Sequence, residues 1–380
     1  MSNDLKVLEI DFEEVSKKLA SLKLGSLLIG SANSPKADLQ VNLMKEASDN
    51  GASCIIFEES PRNSFYKEIS KKYPELEAHL LELSNPHFVL NPLEGHVNNS
   101  DQINSLILAL RRAYEAFYRK KDTLSQHFRH LILKAYDELK SIEGLDLIKL
   151  LESISDEEHL RRIAKRDKSL NNILSQVIEG YSDKWSKFLK FIKALLEDDS
   201  VKAIFDTSKK KTDRFSYESI QGKNLIFNIK SGRRKNFICE FVFSLFVQQI
   251  VNNVAEVNYS KQVISQRKDV HLIFSEDVVD YLDPQWKYFW GEARLAGIRP
   301  NVAISAPNVI KDDVKNLLFG NFASIVAFPK TSFARSIIEN EMGVPAEHLV
   351  DPAAFSKWGI LKIGKFESEN NPGIYKFKLI

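Results

Sequence analysis

Residues 101 to 200 carry helical periodicity throughout, and the segments on either side alternate strand and helix. No other feature constrains the chain as much. Within the helical stretch, "INSLILALRRAYEAFYRKK" repeats apolar residues at i, i+3 and i+4, and "LSQHFRHLILKAYDELKSI" does so again. "SDEEHLRRI" reads as a further helix start, with Ser155 as its cap and acids in its first turn. Before this stretch, residues 24–30 read as a strand, 36–50 as a helix and 53–57 as a second strand. A third short strand, "HFVL", precedes Asn91-Pro92-Leu93, where proline stops regular structure.

After residue 220 the alternation resumes. Residues 224–229 read as a strand, 237–254 as a long apolar helix, "VHLIF" as a strand, and "PQWKYFWGEARLAG" as a helix stopped by Gly297. Strands at 301–305 and 324–328 flank a helix near 311–319. Continuous apolar strands separated by helices predict a mainly parallel sheet covered on both faces. "GILKIG" and "GIYKFKL" alternate more strictly and predict an antiparallel edge pair. The simplest architecture is one α/β domain split by an all-helical insertion: residues 1–97, insertion 98–205, then residues 206–380, with both outer parts sharing one sheet.

A chain of 380 residues, 43% hydrophobic and 27% charged, has ample material for such a core. Its longest apolar runs, such as 241–247, fall short of the roughly 18 residues of a membrane span. The first residues show no basic region followed by an apolar one, so a cytoplasmic protein is expected. Cys54 and Cys239 lie in apolar runs as reduced core residues. Neither they nor the eight histidines have metal-ligand spacing, and no metal site is expected. The net charge of +2 selects no partner class, and Lys209-Lys210-Lys211 and Arg233-Arg234-Lys235 read as solvated loops rather than nucleic-acid contacts.

Three segments bear on chemistry. "SLLIGSANSPKAD" nearly matches the phosphate-binding loop G-x-x-x-x-G-K-[ST], with Gly30 first and Lys36 in the lysine place. Its candidate residues are Gly30, Ser31, Ala32, Asn33, Ser34, Pro35, Lys36 and Ala37. A working loop needs glycine before the lysine so that backbone N–H groups curl around the phosphates, and a hydroxyl after it for Mg²⁺. Pro35 lacks an N–H and fixes φ, and Ala37 cannot ligate a metal. On these residues alone the segment reads either as a plain strand-to-helix turn or as a degenerate loop. "VHLIFSEDVVDYL" ends an apolar strand with Ser275, Glu276 and Asp277, either a water-polarising acid after a lost metal-supporting acid, or caps of the next segment. In "WGEARLAGIRPNVAISAPNVI", Arg294 is either a finger toward a neighbouring subunit's phosphate or a surface ion-pair residue.

In order along the chain, these pieces resemble the coupling proteins of conjugative type IV secretion systems, the TraG/TraD group of P-loop motor ATPases related to HerA and FtsK. "LLIGSANSPKADLQVNLMKEASDNGASCIIFEES" is similar to that family's strand, phosphate loop, helix and second strand. "FVLNPLEG" is similar to its Asn-Pro-Leu segment, which precedes an inserted helical domain, and "FSYESIQGKNLIFNIKSG" to the strand returning to the sheet. "VHLIFSEDVVDYL" resembles its acidic Walker B strand. "GEARLAGIRPNVAIS" resembles its Glu-Ala-Arg helix and sensor strand, followed by "FGNFASIVAF" and "TSFARSIIENEMG". The resemblance implies a RecA-like mainly parallel sheet with helices on both faces, an all-α interruption and antiparallel strands at the C-terminus.

The departures fall where chemistry is done. Pro35 replaces a glycine, Ala37 a Ser or Thr, Ser275 the Walker B aspartate, and Ala306 a glutamine that senses the γ-phosphate. Glu276, Lys36 and Arg294 match. The resemblance therefore implies a degenerate member, a pseudo-ATPase in which Glu276 is a vestigial water-polarising acid and Arg294 a candidate finger, with weak or no ATP and Mg²⁺ binding. It implies homo- or hetero-hexamers with an active paralogue, and DNA and secretion-system components as partners. It also implies placement beside the inner membrane through partners rather than by a transmembrane segment. Two other readings stand beside it: an active DNA-translocating ATPase with atypical motifs, and an α/β protein with an unrelated small-molecule role.

Overall fold

A computed structural model describes residues 7–22, 25–31, 34–59, 64–83, 85–93, 99–119, 126–142, 144–208, 222–229, 236–260, 268–286, 290, 293–305, 312–322, 324–328, 339–340, 342–343, 358–363 and 373–378. In chain order the first elements are β1 (Val7–Ile10), α1 (Phe12–Ser21), β2 (Ser26–Ile29), α2 (Lys36–Asp49), β3 (Ser53–Glu58), α3 (Ser64–Lys72) and β4 (His79–Glu82). Helices follow: α4 (Asn99–Tyr118), α5 (Gln126–Leu139), α6 (Leu147–Ser155), α7 (Glu157–Ala164), α8 (Lys168–Gly180), α9 (Ser182–Leu196) and α10 (Asp199–Phe205). Then come β5 (Asn224–Asn228), α11 (Asn236–Ser260), β6 (Val270–Phe274), β7 (Ile298–Ile304), α12 (Asp312–Asn321), β8 (Ser324–Ala327), β9 (Trp358–Ile363) and β10 (Gly373–Lys378).

The chain divides into two compact units. The first comprises Met1–Leu80, Ile220–Asn228 and Val257–Ile380. It is built on a ten-stranded sheet in the order β1-β10-β9-β8-β2-β7-β6-β3-β5-β4. The strands at its centre, from β8 through β5, pair in parallel, and only β9 runs antiparallel to both of its neighbours. β2 and β3, from before the helical stretch, thus share one sheet with strands from after it, as expected, and alternate with them in its order. Every residue of β2, β3, β5, β6 and β8 is buried, which is why they read as unbroken apolar runs.

α1 buries Phe12, Val15, Ser16, Leu19 and Ala20 along one face, and its N-cap Asp11 accepts from the Glu14 N–H. Phe12 and Phe328 both pack against Phe377, with ring centroids 6.0 Å apart in each pair. A row of three rings crosses the sheet: Phe57 stacks on Phe274 at 5.0 Å and meets Phe227 edge-on at 5.9 Å. The row exists because the parallel register places Phe57 opposite both.

The second unit comprises Leu81–Ser219 and Ile229–Glu256. Phe128, Trp185 and Phe188 stack within it, and Tyr114, Phe117, Phe191 and Phe237 form a second aromatic cluster. Asp146 caps α6 by accepting from Lys149 N at 2.9 Å, and also accepts from Thr207 Oγ1 at 3.0 Å. Among the described residues one helix, over Asn236–Asn258, is long and apolar enough to cross a membrane; 94% of its most apolar stretch is buried inside the protein. Its polar side chains are tied into the core: Gln249 donates to Pro92 O at 2.7 Å, Asn252 to Ser105 Oγ at 2.9 Å, and Glu240 pairs with Arg112 at 3.1 Å.

Several expectations are corrected. "HFVL" is not a strand; only Val89 forms an isolated bridge, and Leu90 N donates to Ile204 O at 2.7 Å. Pro86 and Pro92 flank the segment and limit how far a strand could extend on either side, and the Leu90 N–H is taken by the end of α10. Ser155 ends α6, its hydroxyl donating to Glu152 O, whereas Asp156 caps α7 by accepting from His159 N at 3.0 Å. The β9–β10 pair is antiparallel but not at the edge, because β1 lies beyond β10 in parallel. Of the helix read over 284–297, the described residues hold a short 3-10 turn at Ala293–Ala296. The clusters Lys209-Lys210-Lys211 and Arg233-Arg234-Lys235, and most of "TSFARSIIENEMG", lie outside the described residues.

Candidate functional site

β2 delivers the chain to the 30–36 turn. Gly30 N donates to Ile304 O at 3.1 Å, and Phe328 N to Ile29 O at 2.8 Å, so the strand is held from both sides. Gly30 is required by space: a β-carbon there would lie 2.5 Å from Ser34 Oγ and 3.0 Å from Phe328. Ser34 N closes the turn onto Ser31 O at 2.9 Å. Pro35, at φ −75° and ψ 33°, stands at the N-cap of α2 and provides no side-chain cap; its carbonyl accepts from Leu39 N at 3.0 Å. Ala37 is exposed on the first turn of α2, while Ala32 and Asn33 lie outside the described residues.

Lys36 is buried to within 4% of full enclosure at its side chain. Its ammonium donates to Gly30 O at 2.6 Å, Ser31 O at 2.8 Å and Ser305 Oγ at 3.0 Å, and forms an ion pair with Glu276 Oε2 at 2.8 Å. An ammonium has three protons, so four acceptors fill it. Burial pulls the Lys36 pKa below the ordinary lysine range, and the hydrogen bond and charge of Glu276 oppose that fall. The Ser305 hydroxyl in turn donates to Glu276. The hydroxyl oxygens of Ser31 and Ser34, by contrast, are buried without a hydrogen-bond partner.

The C-terminal end of β6 faces the turn. Ser275 N donates to Phe57 O at 3.0 Å, and Ser275 Oγ lies 2.8 Å from the same carbonyl and within hydrogen-bond reach of Asp277. Asp277 accepts from Glu59 N at 3.0 Å, which ties the end of β6 to the end of β3. Gln40 on α2 donates to Phe274 O at 2.9 Å, tying α2 to the same strand end. Glu58 is fully buried. One of its oxygens accepts from Ser64 Oγ at 3.0 Å and Phe65 N at 3.3 Å at the start of α3, and the other has no partner. Burial lifts its pKa to about 7.

The structure therefore brings Gly30, Ser31, Ser34, Lys36, Ser275, Glu276 and Asp277 to one end of the sheet. Arg294 sits in the 3-10 turn at Ala293–Ala296, and its side chain, like Ala306, lies outside the described residues. Two residues escaped the sequence reading, Ser305 and Glu58. A serine carries no signal of type; Ser305 joins the site because β7 runs parallel to β2, with Ile304 opposite Ile29. As for chemistry, position 37 offers a methyl group and position 275 a hydroxyl engaged with Phe57, so neither supplies an open metal ligand.

No family model and no curated protein matches the chain. Solved structures do. The bacterial conjugative coupling protein TrwB, in an unbound monoclinic form, matches with a TM-score of 0.64 and 14% identity over 98% of this chain and 93% of its own. TrwB in complex with the non-hydrolysable GTP analogue GDPNP matches with a TM-score of 0.63 and 16% identity, covering 99% and 90%. VirB4 of Thermoanaerobacter pseudethanolicus matches with a TM-score of 0.58 and 13% identity, covering 89% and 86%. At these identities what is shared is the fold. The chain has the RecA-like fold of these proteins: a mainly parallel α/β sheet interrupted by helices, with antiparallel strands toward its C-terminus.

Proposed function

We propose that this chain is a non-hydrolysing relative of type IV secretion coupling proteins, acting as a binding or scaffold component in DNA transfer. In this reading a helical insertion at 98–205 interrupts a motor-like domain formed by 1–97 and 206–380. Gly30 to Ala37 is a degenerate phosphate loop, Glu276 a vestigial acid, and Arg294 a group offered to a neighbouring subunit. The chain would assemble as a homo-hexamer or in a mixed hexamer with an active paralogue, in the cytoplasm beside the inner membrane.

The observation that carries the proposal is the state of Lys36. All three of its protons are spent on Gly30 O, Ser31 O, Ser305 and Glu276, where a phosphate-binding lysine must have donors to spare. Ala37 and Ser275 withdraw the usual hydroxyl and carboxylate support for Mg²⁺. Calorimetric titration with Mg-ATP and a steady-state phosphate-release assay test it, and both should be flat. Mg-dependent turnover of about 1 s⁻¹, ordinary for an enzyme, that disappears in Glu276→Gln would overturn it. That result would promote the reading as an active DNA-translocating ATPase, which one observation favours: a lysine and a glutamate in the two required places lie 2.8 Å apart.

A further inference from the structure

We propose that Glu276 is a built-in occupant of the anion position at the 30–36 turn: the site is closed by the chain's own carboxylate and accepts an oxyanion only when that carboxylate leaves Lys36. The inference rests on the reading of this turn as a phosphate-loop relative, and adds how the site is regulated.

The two partners are unequally placed. Lys36 is enclosed, with 4% of its side chain exposed, whereas Glu276 has 35% exposed and reaches the ammonium from the solvent side. Lys36 is fixed by α2 and by two backbone carbonyls. Among the described residues, the Glu276 side chain is held by Lys36 and by the Ser305 hydroxyl. The flanking residues Ser275 and Asp277 are anchored separately to Phe57 O and Glu59 N, so a swing of the Glu276 side chain need not disturb the end of β6.

The charge balance points the same way. A buried ammonium without a counter-charge is strongly unfavourable, so loss of the carboxylate leaves Lys36 in need of another anion. A phosphate oxygen restores neutrality in the same place. The buried hydroxyls of Ser31 and Ser34 are donors without acceptors at the same turn, and an incoming oxyanion is the type of group that satisfies them. The carboxylate of Glu276 thus stands where the terminal oxyanion of a ligand would stand.

The test is anion binding without metal. Inorganic phosphate and pyrophosphate are titrated into the wild-type protein and into Glu276→Gln and Ser305→Ala, by calorimetry and by anion-induced shift of the thermal midpoint. Wild type should show no saturable binding at millimolar concentration. Glu276→Gln should bind pyrophosphate at least tenfold more tightly, and the added change Lys36→Ala should abolish that gain. Ser305→Ala, which removes the hydroxyl that holds the carboxylate and one acceptor of the Lys36 ammonium, should give a smaller gain of a fewfold. If Glu276→Gln fails to fold, Ser305→Ala decides alone. A folded variant that binds pyrophosphate no better than wild type overturns the proposal and leaves the Lys36–Glu276 pair as an ordinary structural ion pair. These titrations do not involve turnover, so their failure is distinct from the finding that wild type hydrolyses ATP.

Discussion

Ser275 holds Phe57 twice: its amide N–H donates to the Phe57 carbonyl at 3.0 Å and its hydroxyl lies 2.8 Å from the same oxygen. The hydroxyl also lies in hydrogen-bond reach of the Asp277 carboxylate. A carboxylate in its place would face a carbonyl oxygen and a second carboxylate, all acceptors. Ser275→Asp, the change that restores the acid of the coupling-protein pattern, should therefore lower stability by about 1–3 kcal/mol without divalent cation. Ser275→Ala, which loses one hydrogen bond and adds no charge, should cost about 1 kcal/mol. Urea unfolding in the presence of chelator checks both. Equal stability of Ser275→Asp and wild type would show that the site tolerates the second acid.

Two buried groups oppose each other in their response to pH. Burial lifts the Glu58 carboxyl from 4.5 to about 7; the Asp277 charge adds to the rise, and the Phe65 N–H and Ser64 hydroxyl resist it. Burial, and then the Arg299 cation, push the His271 imidazole from 6.5 down to about 3. Between pH 4.5 and 6.5, folded Glu58 holds a proton that the unfolded chain has lost, so its contribution falls as pH rises. Folded His271 lacks a proton that the unfolded chain has gained, so its contribution grows as pH rises. The two contributions therefore oppose each other in the wild type. Glu58→Gln should leave stability climbing with pH by about 1.4 kcal/mol per unit over this window, and His271→Gln should leave it falling by about as much. Denaturant midpoints measured at pH 4.5 to 6.5 test the signs, and parallel curves for all three proteins would refute the pairing.

How far the sequence foretold this structure depended on burial. β3 and β6 were legible because both faces are covered, which leaves an unbroken apolar run. β1 and β4 were not, because Leu8 is 42% exposed and β4 is largely half-buried, so neither shows a clean period. At the candidate site Gly30, Lys36, Ser275 and Glu276 stood out through spacing and resemblance. The ion pair that joins the second and fourth of them was not visible, since it follows from the parallel order β2-β7-β6 and not from any local pattern. Ser305 and Glu58 belong to the same class of omission: ordinary residue types whose meaning comes from the strand end on which they sit.

Glycines separate three kinds of backbone demand. Gly25 has φ +81°, and a β-carbon there would lie 1.8 Å from the Pro300 carbonyl oxygen, a backbone atom with no freedom to withdraw. Gly359 faces Phe377 across the β9–β10 ladder, and its β-carbon would lie 2.3 Å from the ring, itself wedged against Phe12 and Phe328. Gly51 has φ +76° and nothing within 4 Å. Gly51→Ala should cost about 1–2 kcal/mol from the backbone alone, Gly359→Ala about 1–3 kcal/mol from overpacking, and Gly25→Ala the most, because both penalties combine. Urea midpoints in any other order would contradict this ranking.

Repair of the 30–37 turn meets the Glu276 carboxylate. Pro35 sits at φ −75°, within proline's own preference, and opens α2 through its carbonyl. Pro35→Gly restores an N–H but widens the unfolded ensemble, at a cost of about 0.4–1 kcal/mol. Ala37 is exposed, so Ala37→Thr adds the hydroxyl without a clash. If the loop residues alone limited binding, this double variant would take up Mg-ATP. The Lys36–Glu276 pair argues otherwise, because the lysine would still be spent inside the protein. The double variant should therefore fold, lose slightly in stability, and give a flat titration. Adding Glu276→Gln should open the site, and the triple variant should bind Mg-ATP more tightly than Glu276→Gln alone, because the hydroxyl introduced at position 37 and the N–H restored at position 35 now contribute. No turnover should follow, since the acid that would polarise water has been removed. Saturable Mg-ATP binding by Pro35→Gly/Ala37→Thr with Glu276 intact would show that the proline and alanine, not the carboxylate, keep the nucleotide out.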